Sequence, residues 1–159
     1  MAQGERRSVG RVEKVVASLF FSGYFPLFPA TVGSAVTCVA YWFFVPENLY
    51  IQAALIVIVF FLAVYLSSRL IREWGPDPRR VVIDETSGML VALFMVPKSV
   101  LLVIIAFLLF RLFDIAKPFP IRRWERLKSG WGVVIDDLMA GIYTRVMILV
   151  IYLIWSRAL

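Results

Sequence analysis

Five of the chain's eleven acidic residues stand at the edges of apolar stretches, where a carboxylate is costly to keep charged. Asp84 and Glu85 open one stretch, Asp136 and Asp137 open another, and Asp114 closes a third. Neighbouring carboxylates in such a setting repel each other and lose hydration. A cation held between them removes the repulsion. Oxygen donors without nitrogen or sulfur favour a hard ion, so magnesium is expected, with manganese as its substitute. The chain contains no His, which argues against zinc. A plainer reading is that acids in a first helical turn meet the positive end of the helix dipole. That accounts for one acid, not for two consecutive pairs plus a fifth on another helix. The remaining acids, Glu5, Glu13, Glu47, Glu73, Asp77 and Glu125, are expected in water or among headgroups.

Basic residues accompany the fifth acid. Arg111 precedes Asp114 by three residues and Lys117 follows it by three, and Pro118 and Pro120 stiffen the exit towards Arg122. Cations beside metal-binding acids are what a phosphate group requires. A cytoplasmic loop rich in basic residues explains their number but not this setting. In the segment from Gly23 to Ser34, Pro26 and Pro29 forbid a regular helix. Thr31 is expected to cap the helix that follows, whose start offers N–H groups to phosphate. Taken alone, a structural turn is the simpler explanation of that segment.

The elements that must position these groups are membrane helices. The chain of 159 residues is 61% hydrophobic, against about 45–50% in ordinary soluble domains. One all-α domain over 1–159 is expected, with a basic leader at 1–14 and no removable signal segment. Five apolar segments are candidate helices: 31–45, 49–70, 81–96, 99–115 and 133–155, with 15–28 dipping into the interface. The first and third reach only about 22–25 Å at 1.5 Å per residue, so they suit partial or tilted spans. Basic residues concentrate in the leader, after the second segment and after the fourth, while the Pro46 and Pro97 turns carry few. That alternation predicts an inner-membrane protein with a cytoplasmic amino terminus. It brings all five edge acids to the cytoplasmic face.

Two smaller patterns bear on the geometry. Val81-Val82-Ile83-Asp84-Glu85 is echoed by Val133-Val134-Ile135-Asp136-Asp137, which suggests two similar half-sites. Gly88 follows Asp84 by four residues and Gly141 follows Asp137 by four, on the same helix faces. Each glycine would let a ligand or a neighbouring helix approach closely.

Absences narrow the chemistry. Without His there is no His nucleophile or base, and Cys38 has Phe44 six residues on, so a Cys-x5-Arg phosphatase loop is missing. There is no Asp-x-Asp and no phosphate-binding Gly-x-x-x-x-Gly-Lys loop. Attack by water activated on a metal remains. The positive net charge of +6 fits cytoplasmic loops against anionic lipid, not nucleic acid.

These motifs resemble the phosphatidylglycerophosphatase A family, from about Gly23 to Tyr143. The likeness rests on Pro29-Ala30-Thr31-Val32-Gly33-Ser34, on Ile83-Asp84-Glu85 with Gly88, and on Phe110-Arg111-Leu112-Phe113-Asp114 with Lys117-Pro118 and Pro120-Ile121-Arg122. It also rests on Gly130-Trp131-Gly132 running into Asp136-Asp137 with Ala140-Gly141. The resemblance implies a magnesium-dependent helical hydrolase of phospholipid biosynthesis that converts phosphatidylglycerophosphate to phosphatidylglycerol. It implies that Asp84, Glu85, Asp114, Asp136 and Asp137 carry the function. Asp84, Glu85, Asp136 and Asp137 are the expected metal ligands, and Lys117, Arg111, Arg122 and Thr31 the expected phosphate contacts. The family usually has Pro-Gly-Thr where Pro29-Ala30-Thr31 stands, so a positive φ at that position would strain Ala30. Rival readings are a cation- or proton-translocating protein and a non-catalytic assembly subunit. A homo-oligomer is compatible with all three.

Overall fold

The computed structural model describes residues 9–75, 78–124 and 129–158. Arg6, Arg7, Glu5, Asp77, Glu125, Arg126 and Lys128 lie outside the described residues. Those described are helical and contain no strand. In chain order the helices are α1 (Arg11–Ala17), α2 (Pro29–Phe44), α3 (Leu49–Trp74), α4 (Ile83–Ala92), α5 (Val100–Ala116), α6 (Ile121–Trp124) and α7 (Gly130–Ala158). The five expected spans correspond to α2, α3, α4, α5 and α7. Leu49–Trp74 and Gly130–Ile154 are long and apolar enough to cross a bilayer, and Pro29–Phe44 is a shorter apolar helix.

Outward faces are greasy. Val57, Ile58 and Phe61 of α3, Ile104 and Leu108 of α5, and Val146 and Val150 of α7 are exposed. Apolar surface spread over several helices suits lipid, not water. Inside, Tyr41, Met89, Leu93, Phe110, Ile121 and Ile148 form the main core, with α4 packed most extensively on α7.

Boundaries moved where local chemistry decided them. Helix α3 runs past Leu70 because Arg69, Arg72 and Glu73 continue it as a polar turn, until Gly75 at φ 91° stops it. Its start is capped by Asn48, whose side chain accepts the N–H groups of Tyr50 and Ile51. Helix α4 is shorter than 81–96. Val82 N–H is drawn to the Ala17 carbonyl before the helix begins, and Met95 turns left-handed after it. Ten residues give α4 about 15 Å, a partial span. Helix α2 starts at Pro29, so Thr31 lies inside its first turn and does not cap it. The reason is that proline suits the first helical position, where no N–H is needed. Ala30 is therefore helical, and the feared positive φ is absent there.

The bundle has two differently built ends. At one, backbone groups of the turns are tied by buried polar side chains: Tyr41 Oη donates to the Val96 carbonyl at 2.7 Å, and Gln52 bridges Pro46 and Met95. Tyr41→Phe would leave that carbonyl unpaired and is expected to cost about 1 kcal/mol. The loss would register as a lower melting temperature in detergent without loss of catalytic turnover. At the other end, Glu13 pairs with Arg69 at 2.6 Å and Glu73 pairs with Lys14. These two acids, expected to be merely hydrated, instead clip α1 to the end of α3. The same end gathers the starts of α2, α4 and α7 and the close of α5.

Candidate active site

Helices α4 and α7 meet where neither has a side chain. A Cβ on Gly88 would overlap the Asp137 carbonyl, and a Cβ on Gly141 would overlap the Gly88 carbonyl. Of the two uses open to these glycines, the structure shows helix-to-helix approach. Each glycine follows its acid by one turn, so the crossing sets Asp84 and Glu85 against Asp136 and Asp137. The echoed segments also share local geometry. Asp84 Oδ1 accepts the Glu85 N–H and Asp136 Oδ1 accepts the Asp137 N–H, both at 3.0 Å.

All five edge acids line one cavity of about 660 Å³. Carboxylate oxygens of Asp84, Glu85 and Asp137 lie within 4.8 Å of one another. Glu85 Oε2 is buried with no hydrogen-bond partner. A buried acceptor left unpaired is costly, and an all-oxygen donor set accepts a hard cation. The residues present thus fit a divalent metal.

Asp136, the fourth of the expected ligands, is engaged by a lysine. Its Oδ2 lies 2.7 Å from Lys117 Nζ, and it stands outside the trio. Lys117 caps α5 in the left-handed region at φ 43°, a position that usually goes to glycine. Pro118 then prevents the helix from resuming. Arg111 pairs with Asp114 at 2.9 Å, on the three-residue spacing expected of them. Thr31 also lines the cavity. Arg122 is exposed on α6 and is not among the lining residues, so the structure does not bring it to the acids.

Two arginines not anticipated at the site, and the aromatic turn of the Gly23 to Ser34 segment, line its other side. Arg79 and Arg80 border the cavity, as do Tyr24, Phe25, Leu27 and Phe28. Sequence alone puts the arginines in a charged loop. Their place four and five residues before Asp84 was the available signal.

The sequence model of the family described as phosphatidylglycerophosphatase A matches residues 15–152. The chain belongs to that family. A curated relative from Bacteroides thetaiotaomicron, named "Putative phosphatidylinositol-3-phosphatase", is 38% identical over 144 residues, covering 86% of this chain and 91% of its own. The phosphatidylglycerophosphatase A of Haemophilus influenzae is 40% identical over 95 residues, 58% of either chain. That of Escherichia coli K12 is 34% identical over 129 residues, covering 77% of this chain and 73% of its own. No solved structure gives a significant match. Membership of the phosphatidylglycerophosphatase A family makes the protein a membrane lipid phosphatase, a hydrolase with a phospholipid substrate. An acid cluster able to hold a metal lies in the cavity of about 660 Å³.

Proposed function

We propose that the protein hydrolyses the terminal phosphate monoester of phosphatidylglycerophosphate to give phosphatidylglycerol, at the cytoplasmic face of the inner membrane. The observation that carries this reading is the trio of Asp84, Glu85 and Asp137, with an orphaned Glu85 oxygen, in a cavity shared with Arg111 and Lys117. Asp84, Glu85 and Asp137 would hold magnesium, or manganese in its place. An ion held there would supply charge neutralisation and lower the pKa of a water bound beside the phosphate.

The chain's own groups do the rest. Lys117 and Arg111, each beside an acid, donate to the phosphate oxygens and orient the monoester for in-line attack. Thr31, in the first turn of α2, faces the same space. Asp136 holds Lys117 in place, which gives it a positioning role. Asp114 is less buried than Asp136, with 16% against 8% of the side chain exposed, and can pass a proton on to bulk water. It is assigned as the base that takes the proton of the attacking water. The water oxygen bonds to phosphorus, the bond to the glycerol oxygen breaks, and a proton restores the glycerol hydroxyl. Cytoplasmic orientation is supported by the basic residues at this end, with Arg69, Arg72, Arg79 and Arg80 against Lys98 and Arg157 at the other.

The name of the Bacteroides relative raises a phosphoinositide monoester as a second substrate. Family membership and the two other relatives favour phosphatidylglycerophosphate. Phosphate release by purified protein, measured on both lipids, decides between them. EDTA is expected to reduce release to background and excess magnesium to restore it. Release that ignores the chelator would remove the metal from the mechanism.

A further inference from the structure

We propose that Arg79 and Arg80 form a second anion subsite that binds the phosphodiester of the lipid, so that the cavity reads two phosphates. The monoester half of this inference rests on the hydrolase reading above; the phosphodiester half stands on its own geometry.

Charge is distributed unevenly around the cavity. At the acid end each of the two cations lies beside a carboxylate, Arg111 by Asp114 and Lys117 by Asp136, although Arg111 Nε and Nη1 are buried without a hydrogen bond. Arg79 and Arg80 line the same space and are exposed, and among the described residues no carboxylate pairs with either. Two adjacent guanidinium groups at the edge of a pocket, with no carboxylate partner among the described residues, suit an anion.

Their position is built, not incidental. The Arg80 guanidinium lies 5.1 Å from the centre of the Tyr24 ring and 5.9 Å from that of Trp74. Two rings within cation–π distance fix where this charge sits at the edge of the cavity. The backbone is held as well. Gly23 packs so closely on Arg80 that a Cβ there would overlap the Arg80 carbonyl. Val82 N–H donates to the Ala17 carbonyl at 2.9 Å, and Val81 N–H to the Pro78 carbonyl at 2.8 Å. Arg80 precedes Asp84 by four residues, so their Cα atoms are at most about 14 Å apart, and both line the one cavity.

An apolar lip completes the sequence. Leu27 and Phe28 line the same cavity with 72% and 64% of their surface exposed. Acyl chains would lie over this lip, the phosphodiester on Arg79 and Arg80, and the terminal monoester among the acids. Phosphatidic acid, whose only phosphate is the monoester on diacylglycerol, cannot occupy both anion positions. If the arginines served only to hold the protein against anionic lipid, all lipid substrates would suffer alike on their removal.

Full-length protein in mixed micelles is assayed on phosphatidylglycerophosphate and on phosphatidic acid of the same chain length. Arg79→Ala and Arg80→Ala are each expected to raise KM for the first roughly tenfold, with kcat little changed. Turnover of phosphatidic acid should stay within about twofold of wild type. Arg80→Lys, which keeps the charge, should recover part of the loss. Arg79→Ala, at a side chain with no ring contact among the described residues, guards against misfolding as the cause. Equal loss on both lipids, or loss on neither, overturns the proposal. A binding arm needs no turnover: short-chain phosphatidylglycerol keeps the phosphodiester and lacks the monoester. Its affinity should fall about tenfold or more in the double variant. Unchanged affinity overturns the subsite. Should the wild type release phosphate from no lipid, the hydrolase reading fails, and this arm still decides whether the subsite exists.

Discussion

Asp137→Asn is expected to lower phosphate release from phosphatidylglycerophosphate by roughly 100- to 1,000-fold or more while leaving the protein folded. Asp137 belongs to the trio whose oxygens lie within 4.8 Å of one another, and its backbone forms the contact with Gly88. Asparagine keeps the shape and the contact but removes one negative charge. Two measurements separate this effect from ordinary damage. In EDTA the variant should melt no lower than wild type, because a like charge has left a crowded cluster. In magnesium the wild type should gain stability, since a ligand bound only by the folded state raises the melting temperature. The variant should lose most of that gain. Asp84→Asn should behave in the same way. Full activity in either variant, or an equal magnesium shift in variant and wild type, would discredit the proposed metal centre.

Gly141→Ala and Gly88→Ala are expected to fail differently, losing stability and activity together. A methyl group at either position must displace a main-chain carbonyl of the facing helix, which no rotamer change relieves. Overpacking of a tight contact costs about 1–3 kcal/mol. Here the separation it forces also moves Asp84 and Glu85 away from Asp137, so turnover should fall by more than about tenfold as the site loosens. Melting in EDTA should show the loss undiminished, because the defect lies in packing, not in cation binding. Thermal unfolding and phosphate release on the same preparations check both parts. A variant that melts like wild type would show that the helices do not need this approach.

Much of this could be read from the residues themselves. Five helices were legible because their apolar runs leave little alternative, and bilayer thickness sets how long a span must be. Convergence of the acid-bearing ends followed from the alternation of basic loops, which assigns each helix end to a face. The ion pair of Arg111 with Asp114 was local, three residues apart on one helix. Helix starts were less legible where two local signals competed, as at Pro29 and Thr31.

Pairings across the chain were not legible. Glu13 with Arg69 and Glu73 with Lys14 join residues more than fifty positions apart. Asp136 and Asp137 are consecutive and chemically alike, yet about 100° apart around a helix, so only the packing of α7 sends one to Lys117 and the other to the trio. Arg122 follows Lys117 by five residues, but the turn through Pro118 and Pro120 carries it to the surface. Arg79 and Arg80 reach the cavity because Gly23 and Ala17 hold that segment against α1 and the aromatic turn.

The sequence by itself therefore determined a helical membrane protein with an acid cluster suited to a hard cation, since composition and charge act locally and need no partner. Tertiary structure alone decided which carboxylates face one another, which cations they neutralise, and which arginines border the cavity. Those outcomes depend on how helices cross, and two glycines set that crossing by letting α4 and α7 touch.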